Sequence, residues 1–196
     1  TGIPNIDPYD RMYNTNTITY SLHHYLNTLS DKNARELSLF EIGQTYGFSG
    51  NLEPSTLYDG YGSRFSNIRA RFTLTPVDNF TYNNESTINT SGNGLAVMRN
   101  TLSHRYPDVY WINLSHYYTS NLSNELFSDL GGYYKPFEGK YQIRYSFKDG
   151  MWIDTLYQLT YRPQCWAVTL ALIQSTRPRD TTFRLSFDLA GFTSMQ

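Results

Sequence analysis

Cysteine is nearly missing from this chain: Cys165 is alone among 196 residues. No internal disulfide can form. In an oxidising compartment a lone thiol implies an intermolecular partner, a missing segment or a free thiol. Charge is scarce as well, with Asp, Glu, Lys and Arg at 17% and a net charge of −1. Nucleic acid and strongly anionic surfaces therefore have no electrostatic footprint here. No apolar run approaches the ~18 residues of a membrane-spanning helix. Thr1-Gly2-Ile3-Pro4 offers neither the basic start nor the apolar stretch of a signal peptide, so an exported protein is expected here in mature or truncated form.

Signatures of catalysis and of metal binding are also lacking. His23 and His24 are adjacent and point to opposite faces of a strand, and with His104 and His116 they suggest no convergent metal site. Ser, His and Asp are plentiful, yet nothing resembles a nucleophile elbow. The Gly-rich Asp59-Gly60-Tyr61-Gly62 is followed by no Lys-Ser/Thr pair, which rules out a phosphate cradle. The expectation is a protein without enzymatic activity and without a cofactor.

What the chain does hold is aromatic residues, 16% of the total with 18 Tyr, together with abundant Asn, Ser and Thr. That mixture suits β-structure. Near the C-terminus, polar and apolar residues alternate with a period of two. Tyr141, Ile143, Tyr145 and Phe147 oppose Gln142, Arg144, Ser146 and Lys148. Ile153, Tyr157, Leu159 and Tyr161 oppose Asp154, Gln158 and Thr160, while Trp166, Val168, Leu170 and Leu172 oppose Cys165, Ala167 and Thr169. Phe183, Leu185, Phe187 and Leu189 oppose Arg184, Ser186, Asp188 and Ala190. Each strand thus has a greasy face and a wet face.

Alternation alone fits a soluble sandwich as well as a membrane barrel. The placement of Tyr141, Trp152, Tyr161 and Trp166 near segment ends favours the barrel, since amphipathic rings collect where strands meet headgroups. A mean hydropathy of −0.52 does not oppose this, because lipid-facing and lumen-facing residues average out. After an irregular lead-in at 1–14, strands are expected at 16–28, 35–48, 64–75, 80–90, 95–105, 109–119, 126–135, 140–148, 152–161, 165–174 and 182–192. The Asn-rich pair at 80–105 alternates poorly, and the phase of 35–48 is ambiguous between Leu37/Leu39 and Phe40/Ile42. Short turns such as Pro76-Val77-Asp78-Asn79 and Tyr106-Pro107-Asp108 leave no room for crossover helices, so the fold expected is all-β, an antiparallel up-and-down transmembrane β-barrel. About eleven strands is an odd number for a bacterial barrel. Residues 15–196 are therefore either a closed barrel with one strand miscounted or part of a larger one. With the C-terminus in the periplasm, the long connection 49–63 falls on the outer side and Cys165 at the periplasmic mouth.

The run PQCWAVTLALI (163–173) followed by TTFRLSFDLAGF (181–192) resembles the end of the lipopolysaccharide-assembly outer-membrane protein family LptD (OstA/Imp). Weaker pieces continue upstream in order, through YSFKDGMWIDTLYQLTYRP (145–163), VYWINLSHYY (109–118), RFSNIRARFTLTP (64–76) and ARELSLFEIGQTY (34–46) to NTITYSLHHYL (16–26). The resemblance implies the C-terminal part of a twenty-six-stranded barrel that inserts lipopolysaccharide into the outer leaflet. It implies as partners the plug lipoprotein LptE, the periplasmic bridge protein LptA, membrane lipids and the remainder of the LptD chain. It also implies a disulfide from Cys165 to a cysteine outside this chain, with Trp166 standing where a second Cys can occur. The last strand, carrying Phe183, Arg184, Leu185, Ser186, Phe187, Asp188, Leu189 and Gly191, corresponds to one edge of the lateral gate, and Arg69, Arg71, Arg144, Lys148, Asp154 and Gln158 become lumen-facing residues. The alternatives are a self-contained small outer-membrane barrel, as a porin or a barrel enzyme, and a soluble carbohydrate-binding β-sandwich.

Overall fold

A computed structural model of the protein describes residues 16–30, 33–48, 64–90, 92 and 94–189. These form eleven strands: β1 (Thr17–Ser30), β2 (Asn33–Gly47), β3 (Ile68–Leu74), β4 (Phe80–Asn89), β5 (Gly94–Tyr106), β6 (Tyr110–Thr119), β7 (Ser123–Tyr134), β8 (Phe137–Ser146), β9 (Met151–Tyr161), β10 (Trp166–Thr176) and β11 (Arg179–Leu189). The strands lie in one sheet in sequence order, and every neighbouring pair is antiparallel. No helix occurs among the described residues. The expected lead-in at 1–14, the loop 49–63 and Gly191 lie outside the described residues.

The turns follow from their residues. Val109 N–H donates to Tyr106 C=O at 3.1 Å, and Leu122 N–H to Thr119 C=O at 3.0 Å. Inside these turns Asp108 and Asn121 adopt positive φ (58° and 61°), as Asn79 does (68°) in the β3–β4 turn. Asp and Asn tolerate that conformation better than other residues with a Cβ.

Among the described residues this sheet has no second layer. Contacts between elements run only between strands adjacent in sequence. Among the described residues the buried apolar side chains are Ala96 and Ala167 alone. A sandwich would seal Phe187, Leu170 and Ile143 between two sheets. Instead Phe187 is 61% exposed and Leu170 41%. The stacked-sheet alternative is therefore not the architecture of this chain. The sheet is also open: β1 and β11 share no ladder.

Register resolves the ambiguities of the sequence. Phe40 and Ile42 lie opposite Phe72 and Ala70 on the apolar face, whereas Leu39 lies opposite Thr73 on the polar one. Leu37 is the extra residue of a bulge against Leu26 and Asn27 of β1. A second bulge alters the expected phase of β9: Arg144 pairs with Asp154 but Tyr145 with Trp152, so Ile153 is left unpaired and Trp152 joins the apolar face. Because β8 begins at Phe137, Tyr141 sits in the middle of its strand, and Phe137 takes the end position expected for Tyr141.

Candidate functional site

The functional feature of this molecule is its two-faced wall. Directly paired residues of an antiparallel sheet share a face, so the register can be followed from edge to edge. From β11 it runs Leu185, Leu170, Leu159, Gly139, Gly132, Tyr110, Tyr106. Another row of the same face runs His24, Phe40, Phe72, Asn84, Asn100, His116, Leu126, Tyr145, Trp152.

Aromatic rings border this face at both ends. At one end, Tyr106 stacks on Tyr110 (6.2 Å), Phe137 meets Tyr161 (5.2 Å), Tyr161 meets Trp166 (5.5 Å) and Trp166 stacks on Phe187 (5.7 Å). At the other, Tyr145 packs against Trp152 (4.6 Å) and Phe147 (5.1 Å), and Tyr46 against Phe48 and Phe65 (5.2 and 4.8 Å). Between them lie exposed aliphatic and aromatic side chains on strands of 10 to 15 residues, apart from the shorter β3. A tilted strand needs ~9–11 residues to cross a bilayer.

The apolar face carries a hydrogen-bonded polar cluster in the Asn-rich strands that alternate poorly in the sequence. Ser86 hydroxyl donates to Asn84 (3.0 Å), Asn84 amide to Asn100 (2.6 Å) and Tyr82 hydroxyl to the same Asn100 oxygen (2.9 Å). His116 bridges onward, 3.4 Å from the Asn100 amide and 2.8 Å from Asn124 Oδ1. Each polar group thus finds a partner within the sheet, which is what permits such residues on a greasy surface.

On the opposite face the charged residues Glu41, Arg71, Glu85 and Arg99 alternate in sign across four strands, β2 to β5. His23 Nδ1 lies 3.0 Å from Glu41, whose other oxygen is 3.4 Å from Arg71; Arg71 Nε lies 3.6 Å from Glu85, which is opposite Arg99 in register. Arg99 in turn rests over the Tyr117 ring at 5.2 Å. Further along, Lys140 approaches Asp129 at 4.0 Å and Arg144 pairs with Asp154. The sequence-derived residues Arg69, Arg71, Arg144, Asp154 and Gln158 all share this face. Lys148 does not belong with them: it sits beyond the end of β8, in a turn, and its ammonium donates to the carbonyls of Asn121 (2.8 Å) and Leu122 (2.9 Å). Glu41, Glu85 and Arg99 were missed from sequence because their strands alternate poorly; only the register assigns them to the ladder.

Arg71 is the hub of that ladder. Replacing it by Gln leaves Glu41 and Glu85 facing each other without the cation between them, and stability should fall by about 0.5–1 kcal/mol, the modest value of partly exposed pairs. Urea unfolding of Arg71→Gln, Glu85→Gln and the double variant checks this through the coupling energy.

In β11, Phe183, Leu185, Phe187 and Leu189 share the apolar face and Arg184, Ser186 and Asp188 the polar one. All seven lie on a sheet edge. Cys165, just before β10, is exposed and is a free thiol among the described residues. No group of three or more His, Cys, Asp or Glu able to hold a metal occurs there. No helix among them is long and apolar enough to cross a membrane, which says nothing of crossing by strands.

No family model matches this chain, and no curated protein does. Among solved structures it is similar to the crystal structure of Pseudomonas aeruginosa OccK10 (OpdN), with 9% identity and a TM-score of 0.36 over 92% of this chain and 69% of that one. So distant a likeness assigns neither a family nor a function. What the molecule itself offers is an all-β, eleven-stranded antiparallel meander, compatible with an outer-membrane location.

Proposed function

We propose that this chain is a lipid-embedded wall of a bacterial outer-membrane β-barrel, its apolar face toward hydrocarbon and its charged face toward a watery lumen. The observation that carries this reading is a one-layer sheet with large exposed apolar side chains: Leu22 is 62% exposed, Phe183 67% and Leu185 66%. A single sheet in water has nothing against which to bury such a face. Hydrocarbon supplies that cover, and the two aromatic borders fall where headgroups would lie.

The edges of β1 and β11, unpaired among the described residues, support a barrel completed by further strands, since open ladders are costly in lipid. With the LptD-like C-terminal run, this leads to the finer proposal: the wall belongs to a lipopolysaccharide-inserting barrel. Its polar face contacts the glycan or a plug lipoprotein such as LptE, β11 forms one side of the seam through which acyl chains leave, and Cys165 pairs with a cysteine elsewhere in the full-length protein. LptA would meet the part of that protein outside this chain. A porin-like barrel is the second reading, favoured by the alternating charges of the polar face, which suit small polar solutes.

Photoreactive residues at Gln158 and Arg184 of the full-length protein, with matched positions at Leu159 and Leu185, test this in cells. Lipopolysaccharide glycan adducts are expected at the first two and not at the second two. Adducts at none of the four, together with ion conductance in planar bilayers, would replace the transport reading by the porin. Full-length protein that stays monomeric in buffer without detergent would sink both.

A further inference from the structure

In the row Leu185, Leu170, Leu159, Gly139, Gly132, Tyr110 the apolar face loses its side chains at two adjoining positions. Gly132 and Gly139 are paired across β7 and β8, two pairs above Tyr134 and Phe137 at the aromatic border. Nothing lies within 4 Å of where a Gly139 Cβ would stand. Gly139 lies in the lining of a groove of about 710 Å³, walled by Tyr110, Leu130, Tyr141, Leu159 and Leu170. That volume falls within the ~300–1,000 Å³ of small-molecule sites. Below it, Arg162 N–H donates to Pro136 C=O at 2.8 Å, tying the β9–β10 turn to the β7–β8 turn. The exposed Lys135 and Arg162 flank that backbone bond, at the end of the wall nearest the groove.

We infer that this groove and the two cations form a site for an anionic diacyl phospholipid, one acyl chain lying in the groove and the phosphate meeting Lys135 and Arg162. The inference rests on the proposed membrane orientation, in which this end of the wall faces the periplasm and the lipid belongs to the inner leaflet. Apolar side chains alone would accept any acyl chain. The paired cations supply the choice of headgroup, since Lys and Arg donors match phosphate oxygens.

The full-length protein in bilayer nanodiscs of phosphatidylcholine with a minor share of spin-labelled phosphatidylglycerol provides the test. Motionally restricted phosphatidylglycerol is expected with wild type, reduced at least threefold in Gly139→Leu, which fills the groove without requiring a positive φ. In Lys135→Gln/Arg162→Gln the preference over spin-labelled phosphatidylcholine should drop to near unity. Restricted signal unchanged in both variants, with the barrel inserted, overturns this proposal alone. A protein that never inserts overturns the membrane reading on which it depends.

Discussion

Leu170→Arg should destabilise the membrane-inserted barrel by about 2–4 kcal/mol, whereas Gln142→Arg should change its stability by no more than about 0.5 kcal/mol. Leu170 lies at the centre of β10, between Leu159 and Leu185, midway between Trp166 and Gln174 on the same face. A guanidinium there lies on the apolar face between the two borders and must drag water into hydrocarbon or bend the bilayer to reach it. Gln142 projects from the other face opposite Asp129. Arginine is accommodated there by water and by a nearby carboxylate. Urea titration of full-length protein folded into phospholipid vesicles measures both. Equal effects of the two substitutions would mean that the faces do not differ in solvent, and the wall model would fail.

Gly131→Val should cost about 2–3 kcal/mol, and most of that cost should disappear when Trp111 is also replaced by Ala. A Cβ at Gly131 would stand 2.0 Å from Trp111 Cζ2 and 2.2 Å from Cη2. The indole lies across the bare backbone of its cross-strand partner, with Tyr133 at 5.1 Å and the Asp129 carboxylate 3.4 Å from its N–H. An aromatic ring covering a strand glycine restores the packing that glycine forfeits. Valine would evict the ring, an overpacking penalty of ~1–3 kcal/mol with the loss of its contacts added. A double-mutant cycle should therefore be strongly non-additive. Additive losses would show that Trp111 and Gly131 act independently, contrary to this geometry.

The number of strands and their order were legible because the C-terminal segments alternate cleanly and Asp, Asn, Gly and Pro punctuate the rest. Pairing added what periodicity could not. The bulge at Ile153 shifts phase within a strand whose sequence reads as one alternation apart from Thr155 and Leu156, and Trp152 reaches the apolar face only through it. The Asn84, Asn100 and His116 positions look like failures of the pattern until their mutual hydrogen bonds are seen across three strands. Lys148 continues the parity of Arg144 but lies past the strand end, and parity has no meaning in a turn. The groove was invisible for a similar reason: Tyr110, Leu130, Gly139, Leu159 and Leu170 come from five strands, and only the pairing of those strands sets them side by side.

The meander's nearest-neighbour connectivity has a consequence for how such a wall is built. Each strand depends only on the one before and the one after, so a hairpin that has formed needs nothing distant to hold it. The polypeptide can be laid down strip by strip from either end, and the growing rim always presents the template for the next addition. Construction then follows chain order, forward or reversed.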